Sequence, residues 1–244
     1  MRNIKLVLQY DGSNYFGWQK QNNGLTVQGV LESAIEELTK EKIEVIGCSR
    51  TDSKVHAREY VCNFKTMSKI PGNKFREALN DKLPEDIVIL NSTDVPEEFH
   101  SRYYSKGKMY CYTILNSEVR SALDRNFVYH HKGSIDVSLM KEACKYLIGT
   151  HDFAAFKNTG SSVKTSERTI FNIELEIIEN YIKIYISADG FLYNMARIIV
   201  GTLIEVGNKK IQPSEIEKII ISKDRCKAGK SAPPQGLCLM EVYY

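Results

Sequence analysis

The chain has 244 residues, 43% of them hydrophobic and 26% charged, with a formal net charge of +3. These values fit a soluble globular protein, one large domain or two small ones, burying roughly 70–75% of its unfolded surface. No apolar run approaches the ~20 residues of a membrane helix, no charged-then-apolar leader opens the chain, and so small a charge does not by itself indicate nucleic-acid binding.

In chain order, Ile4, Leu6, Leu8 and Tyr10 alternate as one face of a strand. Thr26 is placed to cap a helix whose apolar stripe is Val27, Leu31, Ala34, Ile35 and Leu38. An apolar run from Ile43 to Ile46 leads into a small, polar loop, and a strand-like run from Tyr60 to Phe64 leads out. Tyr110, Tyr112 and Ile114 share a strand face. Asp136 caps a second helix carrying Val137, Met140, Ala143, Cys144, Leu147 and Ile148, stopped at Gly149. Phe171, Ile173, Leu175 and Ile177 oppose Asn172, Glu174 and Glu176; after a Glu179-Asn180 turn, Ile182, Ile184, Ile186 and Ala188 complete an antiparallel hairpin. A third helix runs from about Tyr193 to Val206 and ends at Gly207, and Pro213 opens a fourth with Ile216, Ile219 and Ile220. The order strand, helix, strands, helix, strand occurs once before about residue 105 and loosely again after it. This predicts an α+β fold of two similar halves, 1–105 and 106–244, each an antiparallel sheet backed by helices.

The six cysteines form no C-x-x-C pair, and several sit in apolar patterns where a reduced thiol packs as a small hydrophobe. His130-His131 has no partner at ligand spacing, so a surface or loop pair is expected and no metal site. Basic residues gather at Arg102, Lys106 and Lys108, at Lys157, Lys164 and Arg168, and at Arg225, Lys227 and Lys230. Such clusters suit a groove that tracks a phosphate backbone, although a solvated lysine-rich surface has the same composition. No G-x-G-x-x-G or G-x-x-x-x-G-K fingerprint is present.

The most informative stretch is Cys48-Ser49-Arg50-Thr51-Asp52-Ser53-Lys54-Val55-His56-Ala57. A lone carboxylate on a stiff loop acts as nucleophile or base when water is excluded and a cation keeps it ionised. Residue types alone favour a plainer turn aspartate bonded to its own backbone. Asp11, Asp152 and Asp189 are rival carboxylates; Asp11-Gly12 and Asp189-Gly190 follow strands and look like turn chemistry.

Arg50-Thr51-Asp52 followed by Val55-His56-Ala57 resembles the catalytic loop of the TruA-type tRNA pseudouridine synthases. Tyr10-Asp11-Gly12-Ser13, Phe16-Gly17-Trp18-Gln19-Lys20-Gln21 and Thr26-Val27-Gln28-Gly29 are similar to that family's amino-terminal signature. Phe99-His100-Ser101-Arg102 with Lys106-Gly107-Lys108-Met109-Tyr110-Cys111-Tyr112 resembles its tyrosine strand. Gly149-Thr150-His151-Asp152-Phe153, the run Asp189 to Arg197 and the tail Ala228 to Leu237 complete the series in family order.

The resemblance implies conversion of uridine to pseudouridine at positions 38 to 40 of tRNA, in a cleft between the halves. Asp52 would attack C1′ of the ribose or remove its C2′ proton, a choice the sequence leaves open. Arg50 would fill the space of the everted base or grip a phosphate, and Arg197 would pair with Asp52. Tyr110 would stack under the uracil, and Leu237 would wall the pocket. No cofactor is implied, since the isomerisation neither oxidises nor donates a group. The implied partners are RNA, foremost tRNA, and a second copy of the chain in a homodimer, with no DNA and no membrane; the expected compartment is cytoplasmic. Where the family usually carries glycine this chain has Ser49 and Lys54. That leaves the target open: the same reaction on another uridine, in ribosomal RNA or elsewhere in tRNA, is the alternative. A non-catalytic RNA-binding module is a separate alternative, disfavoured by the intact Arg50-Thr51-Asp52.

Overall fold

The computed structural model describes residues 1–22, 24–160 and 165–244; Lys164 of the second basic cluster lies outside the described residues. The fold is α+β, dominated by antiparallel strand pairs, with five α-helices among the described residues. The chain divides into two compact units, Met1–Lys106 with Cys238–Tyr244, and Gly107–Leu237.

In the first unit β1 (Arg2–Tyr10) lies between β3 (His56–Thr66) and β4 (Ile87–Val95), antiparallel to both. The short β2 (Val45–Gly47) pairs antiparallel with β3, and β10 (Leu237–Tyr243) joins β3 in parallel through Cys238 opposite His56. Period-two alternation buries Ile4, Leu6, Leu8 and Tyr10, with Phe64, Cys62 and Tyr60 opposite the first three. Two helices, α1 (Val27–Thr39) and α2 (Phe75–Asn80), supply Val27, Leu31, Ile35 and Phe75 to the core; the Phe75 ring meets Phe64 edge-on at 5.4 Å. Thr26 caps α1 as expected, its Oγ1 accepting the Gly29 N–H at 3.3 Å.

In the second unit β5 (Gly107–Asn116), β9 (Tyr181–Ala188), β8 (Glu167–Ile178) and β7 (Gly149–Asp152) follow one another, all antiparallel. The three-residue β6 (Tyr129–His131) pairs with β5 in parallel. His130 and His131 are therefore half-buried strand residues rather than a surface or loop pair. The helices are α3 (Val137–Cys144), α4 (Met195–Gly207) and α5 (Glu215–Ser222). Every residue of α4 except Arg197 and Glu205 is buried, as expected of a helix apolar nearly all round. Gly201 makes this possible on one side: the carbonyl of Lys230 lies where a Cβ would stand.

Two further expectations need correction. The register of β8 shifts between Ile170 and Asn172, so Ile170 and Ile173 are buried while Phe171 is 48% exposed; Ile177, in phase with the buried Ile173 and Leu175, is 55% exposed near the end of the strand. The extra residue of a bulge resets the inward phase that simple alternation assigns to Phe171. The second helix also stops at Cys144, and the chain reaches Gly149 through turns.

Candidate active site

The Asp52 loop is pinned from both flanks within the first unit. On one side, Tyr60 donates its phenol proton to the Ser49 carbonyl, and the Cys48 N–H reaches the Val61 carbonyl at 2.9 Å. Burial pushes the Tyr60 phenol well up, so this donor keeps its proton. Tyr60 is itself stacked on Trp18, centroids 3.9 Å apart. On the other side, the Trp18 N–H donates to Thr51 O at 3.2 Å, and the Tyr15 carbonyl accepts from the Lys54 N–H (3.3 Å) and the Ser53 hydroxyl (3.1 Å). The hydroxyls of Tyr10 and Thr51 share a buried bond of 2.9 Å. Gly12 donates its N–H to His56 Nδ1 at 3.0 Å.

Thus Tyr10, Gly12, Tyr15 and Trp18 hold the loop on both sides of Asp52. The carboxylate-bearing residue is half-buried, and Arg50 is exposed, with Nε donating to Gln19 Oε1 at 3.3 Å. A buried scaffold under a partly open carboxylate is what a reacting group needs: fixed position with access for substrate.

The remaining expected residues belong to the second unit. Tyr110 is 6% exposed, and its ring meets Phe191 edge-on at 4.9 Å. Arg197 occupies the first turn of α4, where its Nε donates to the Ala232 carbonyl at 2.7 Å and its own carbonyl accepts the Ala232 N–H at 2.9 Å. Holding Nε this way fixes the plane of the guanidinium. Tyr112 donates to the Pro233 carbonyl at 2.7 Å, and Leu237 follows in the same tail, buried, at the start of β10. Three motifs far apart in sequence, around Tyr110, Phe191 to Arg197 and Ala232 to Leu237, are therefore one packed assembly.

A family model described as tRNA pseudouridine synthase matches residues 6–104 and 143–244. The chain is 60% identical to the tRNA pseudouridine synthase A 2 of Clostridium perfringens and 57% identical to the tRNA pseudouridine synthase A of Clostridium acetobutylicum. It is 54% identical to the tRNA pseudouridine synthase A of Acetivibrio thermocellus. Each alignment covers the whole of both chains. The chain belongs to the tRNA pseudouridine synthase family.

The enzymes of this family are RNA isomerases. The rival carboxylates have these partners in the structure. Asp11 accepts from the Ser13 N–H at 2.9 Å and the Ser13 hydroxyl at 2.5 Å, capping a short turn. Asp152 accepts from the Ala154 N–H at 3.1 Å and pairs with Lys223 at 2.7 Å. Asp189 accepts the Thr169 N–H at 3.0 Å. All three are engaged in holding backbone.

Among the basic clusters, Arg225 spends its guanidinium on Asn158 Oδ1 (3.0 Å) and the Gly229 carbonyl (2.9 Å), so it braces the tail instead of facing a groove. Sequence reasoning gave no supporting role to Tyr15, Tyr60, Phe191 or Ala232, although Phe191 and Ala232 lie in the quoted motif runs and Tyr60 opens the strand after the loop. The role of each depends on a contact made only in the folded chain. Among the described residues, no helix is long and apolar enough to cross a membrane.

Proposed function

We propose that this family member converts uridine to pseudouridine in the anticodon stem-loop of tRNA, with Asp52 as the reacting carboxylate. The glycosidic C1′–N1 bond breaks, the uracil turns, C1′ bonds to C5, and the C5 proton leaves while N1 gains one. Asp52 drives this either by attacking C1′ or by taking the C2′ proton. The base must first leave its stack, at a cost of a few kcal/mol. Arg50, exposed beside the loop, fills the vacated space or holds a phosphate. Arg197, whose Nε donates to the Ala232 carbonyl, is the cation proposed to serve the reacting carboxylate. Tyr110 stacks under the uracil and its phenol assists proton movement at C5, with Leu237 as the apolar wall. The working form is a homodimer, and the compartment is the cytoplasm.

The observation that carries this reading is the end-to-end likeness to enzymes named for this reaction, 60% and 57% identical. A second reading keeps the chemistry and moves the target to ribosomal RNA. It is favoured by Ser49 and Lys54 in the loop, of which Lys54 is an exposed cation two residues from Asp52. Mapping pseudouridines in tRNA and ribosomal RNA from a strain lacking the gene separates the two. Loss in anticodon stem-loops supports the first; loss confined to ribosomal RNA supports the second.

A further inference from the structure

Helix α1 carries a buried polar line that no step of the proposed reaction uses. Gln28, in its first turn, and Glu32, one turn later on the same face, are 7% and 4% exposed. Burying an amide and a carboxylate costs free energy unless their polar atoms find partners. Glu32 Oε1 accepts the Val45 N–H at 3.1 Å and Gln28 Nε2 at 3.1 Å, and Oε2 pairs with Lys20 Nζ at 2.8 Å. Gln28 Nε2 also donates to the Val45 carbonyl at 3.0 Å. Gln28 Oε1 accepts the Lys20 backbone N–H at 2.8 Å and Gln19 Nε2 at 3.1 Å. The exposed Gln19 then turns its Oε1 to Arg50 Nε at 3.3 Å.

The direction of this relay is forced. The Val45 carbonyl only accepts and the Lys20 N–H only donates, which fixes the Gln28 amide one way round. Gln28 therefore offers an oxygen to Gln19, Gln19 answers with its nitrogen, and the Gln19 oxygen is left for the loop. A guanidinium only donates, so that oxygen is the end of the amide able to hold Arg50. A buried network with its members satisfied is stiff, and this one is anchored on Val45, the first residue of the strand β2 that leads into the Asp52 loop. Because the bond to Arg50 uses Nε, it leaves both terminal guanidinium nitrogens for RNA.

We propose that Gln19 is a positioning residue for Arg50, the last amide of a relay from Val45 through Glu32 and Gln28 that presets the guanidinium before RNA arrives. The inference rests on the role given to Arg50 in the proposed reaction. A long exposed side chain must otherwise be ordered when it engages, a loss of about 2- to 12-fold for the state that uses it. Gln19 acts through Arg50 and on no reacting atom.

The test is a double-mutant cycle on the intact protein with an unmodified tRNA transcript. Gln19→Leu removes the acceptor at an exposed position, so folding should be preserved. It is expected to lower kcat/KM about tenfold in the parent and under about twofold in the Arg50→Ala background. Equal losses in both backgrounds would make Gln19 a structural residue and overturn the inference, as would parent-like kcat/KM for Gln19→Leu. A second readout needs no reaction. In protein isotopically labelled at its arginine nitrogens, the Arg50 Nε–H resonance, identified by its absence from Arg50→Ala, should move in Gln19→Leu and exchange faster with water. An unmoved resonance overturns the inference even where Arg50→Ala is too slow for the cycle. If the parent protein isomerises no uridine, the proposed reaction fails while the resonance still reads the relay.

Discussion

Gly17 packs against the backbone of Thr51 in a conformation with φ +88°, and an ideal Cβ there would stand 2.4 Å from the Thr51 carbonyl oxygen and 3.0 Å from the carbonyl carbon of Asp52. The glycine thus permits the amino-terminal segment to pass directly over the reacting loop. A side chain there is penalised twice, by its own backbone angle and by overlap with a neighbouring main chain. Gly17→Ala is expected to cost roughly 1–3 kcal/mol of stability. By displacing Asp52 it should lower turnover about 100-fold. Denaturant unfolding and single-turnover kinetics measure both; an alanine variant with parent-like turnover would show that the close approach does not position the carboxylate.

Lys54 offers the opposite experiment. It too is left-handed (φ 65°), a conformation that costs an L-residue roughly 1–2 kcal/mol and a glycine almost nothing. This chain's backbone at Lys54 is thus one that glycine adopts more readily than lysine. Glycine also loosens the unfolded chain, which offsets part of the gain. Lys54→Gly should raise stability by about 0.5 kcal/mol, and the β-branched Lys54→Val should lower it. Equal unfolding midpoints for all three proteins would contradict a strained loop.

These two positions show what a sequence can and cannot reveal. The loop around Asp52 was legible because its residues resemble a known motif, yet the clamps from Tyr15, Gly17 and Tyr60 are set by folding. Strand β1, helices α1 and α4, and the β8–β9 hairpin followed from apolar periodicity sustained over many residues. The phase of β8 did not, since a bulge at Phe171 leaves no mark on composition. Helix α2 has only six residues, too few for a periodic stripe, and β6 exists because β5 offers it a parallel partner.

Asp152 gives the account a pH dependence. Lys223 first, then Ser166, hold its carboxyl below the usual carboxylate range, against a smaller upward push from burial. A carboxyl depressed in the folded state contributes stability above its unfolded value, about pH 3.9, and loses it as the pH falls through the folded value. With a third of the side chain exposed, solvent screening limits the pair to about 0.5–1 kcal/mol. Asp152→Asn should therefore be less stable than the parent at pH 7, with the gap closing as the solution is acidified below about pH 4. A gap that stays constant to pH 2 would mean that the charge of Asp152 contributes nothing.

Tyr110 separates packing from chemistry. Its ring is fixed against Phe191, so Tyr110→Phe keeps the shape and removes only the phenol. Binding of tRNA should be nearly normal while turnover falls at least about tenfold, the pattern of an interaction made in the transition state. Equal losses in affinity and turnover would make Tyr110 a packing residue.

The most direct measurement of all concerns position 52. RNA carrying tritium at uridine C5 releases its label to water only when C5 becomes bonded to the ribose. The native protein is predicted to release it, and Asp52→Asn, nearly isosteric and uncharged, to release none above background. Undiminished release from a folded Asp52→Asn protein would contradict the account at its centre.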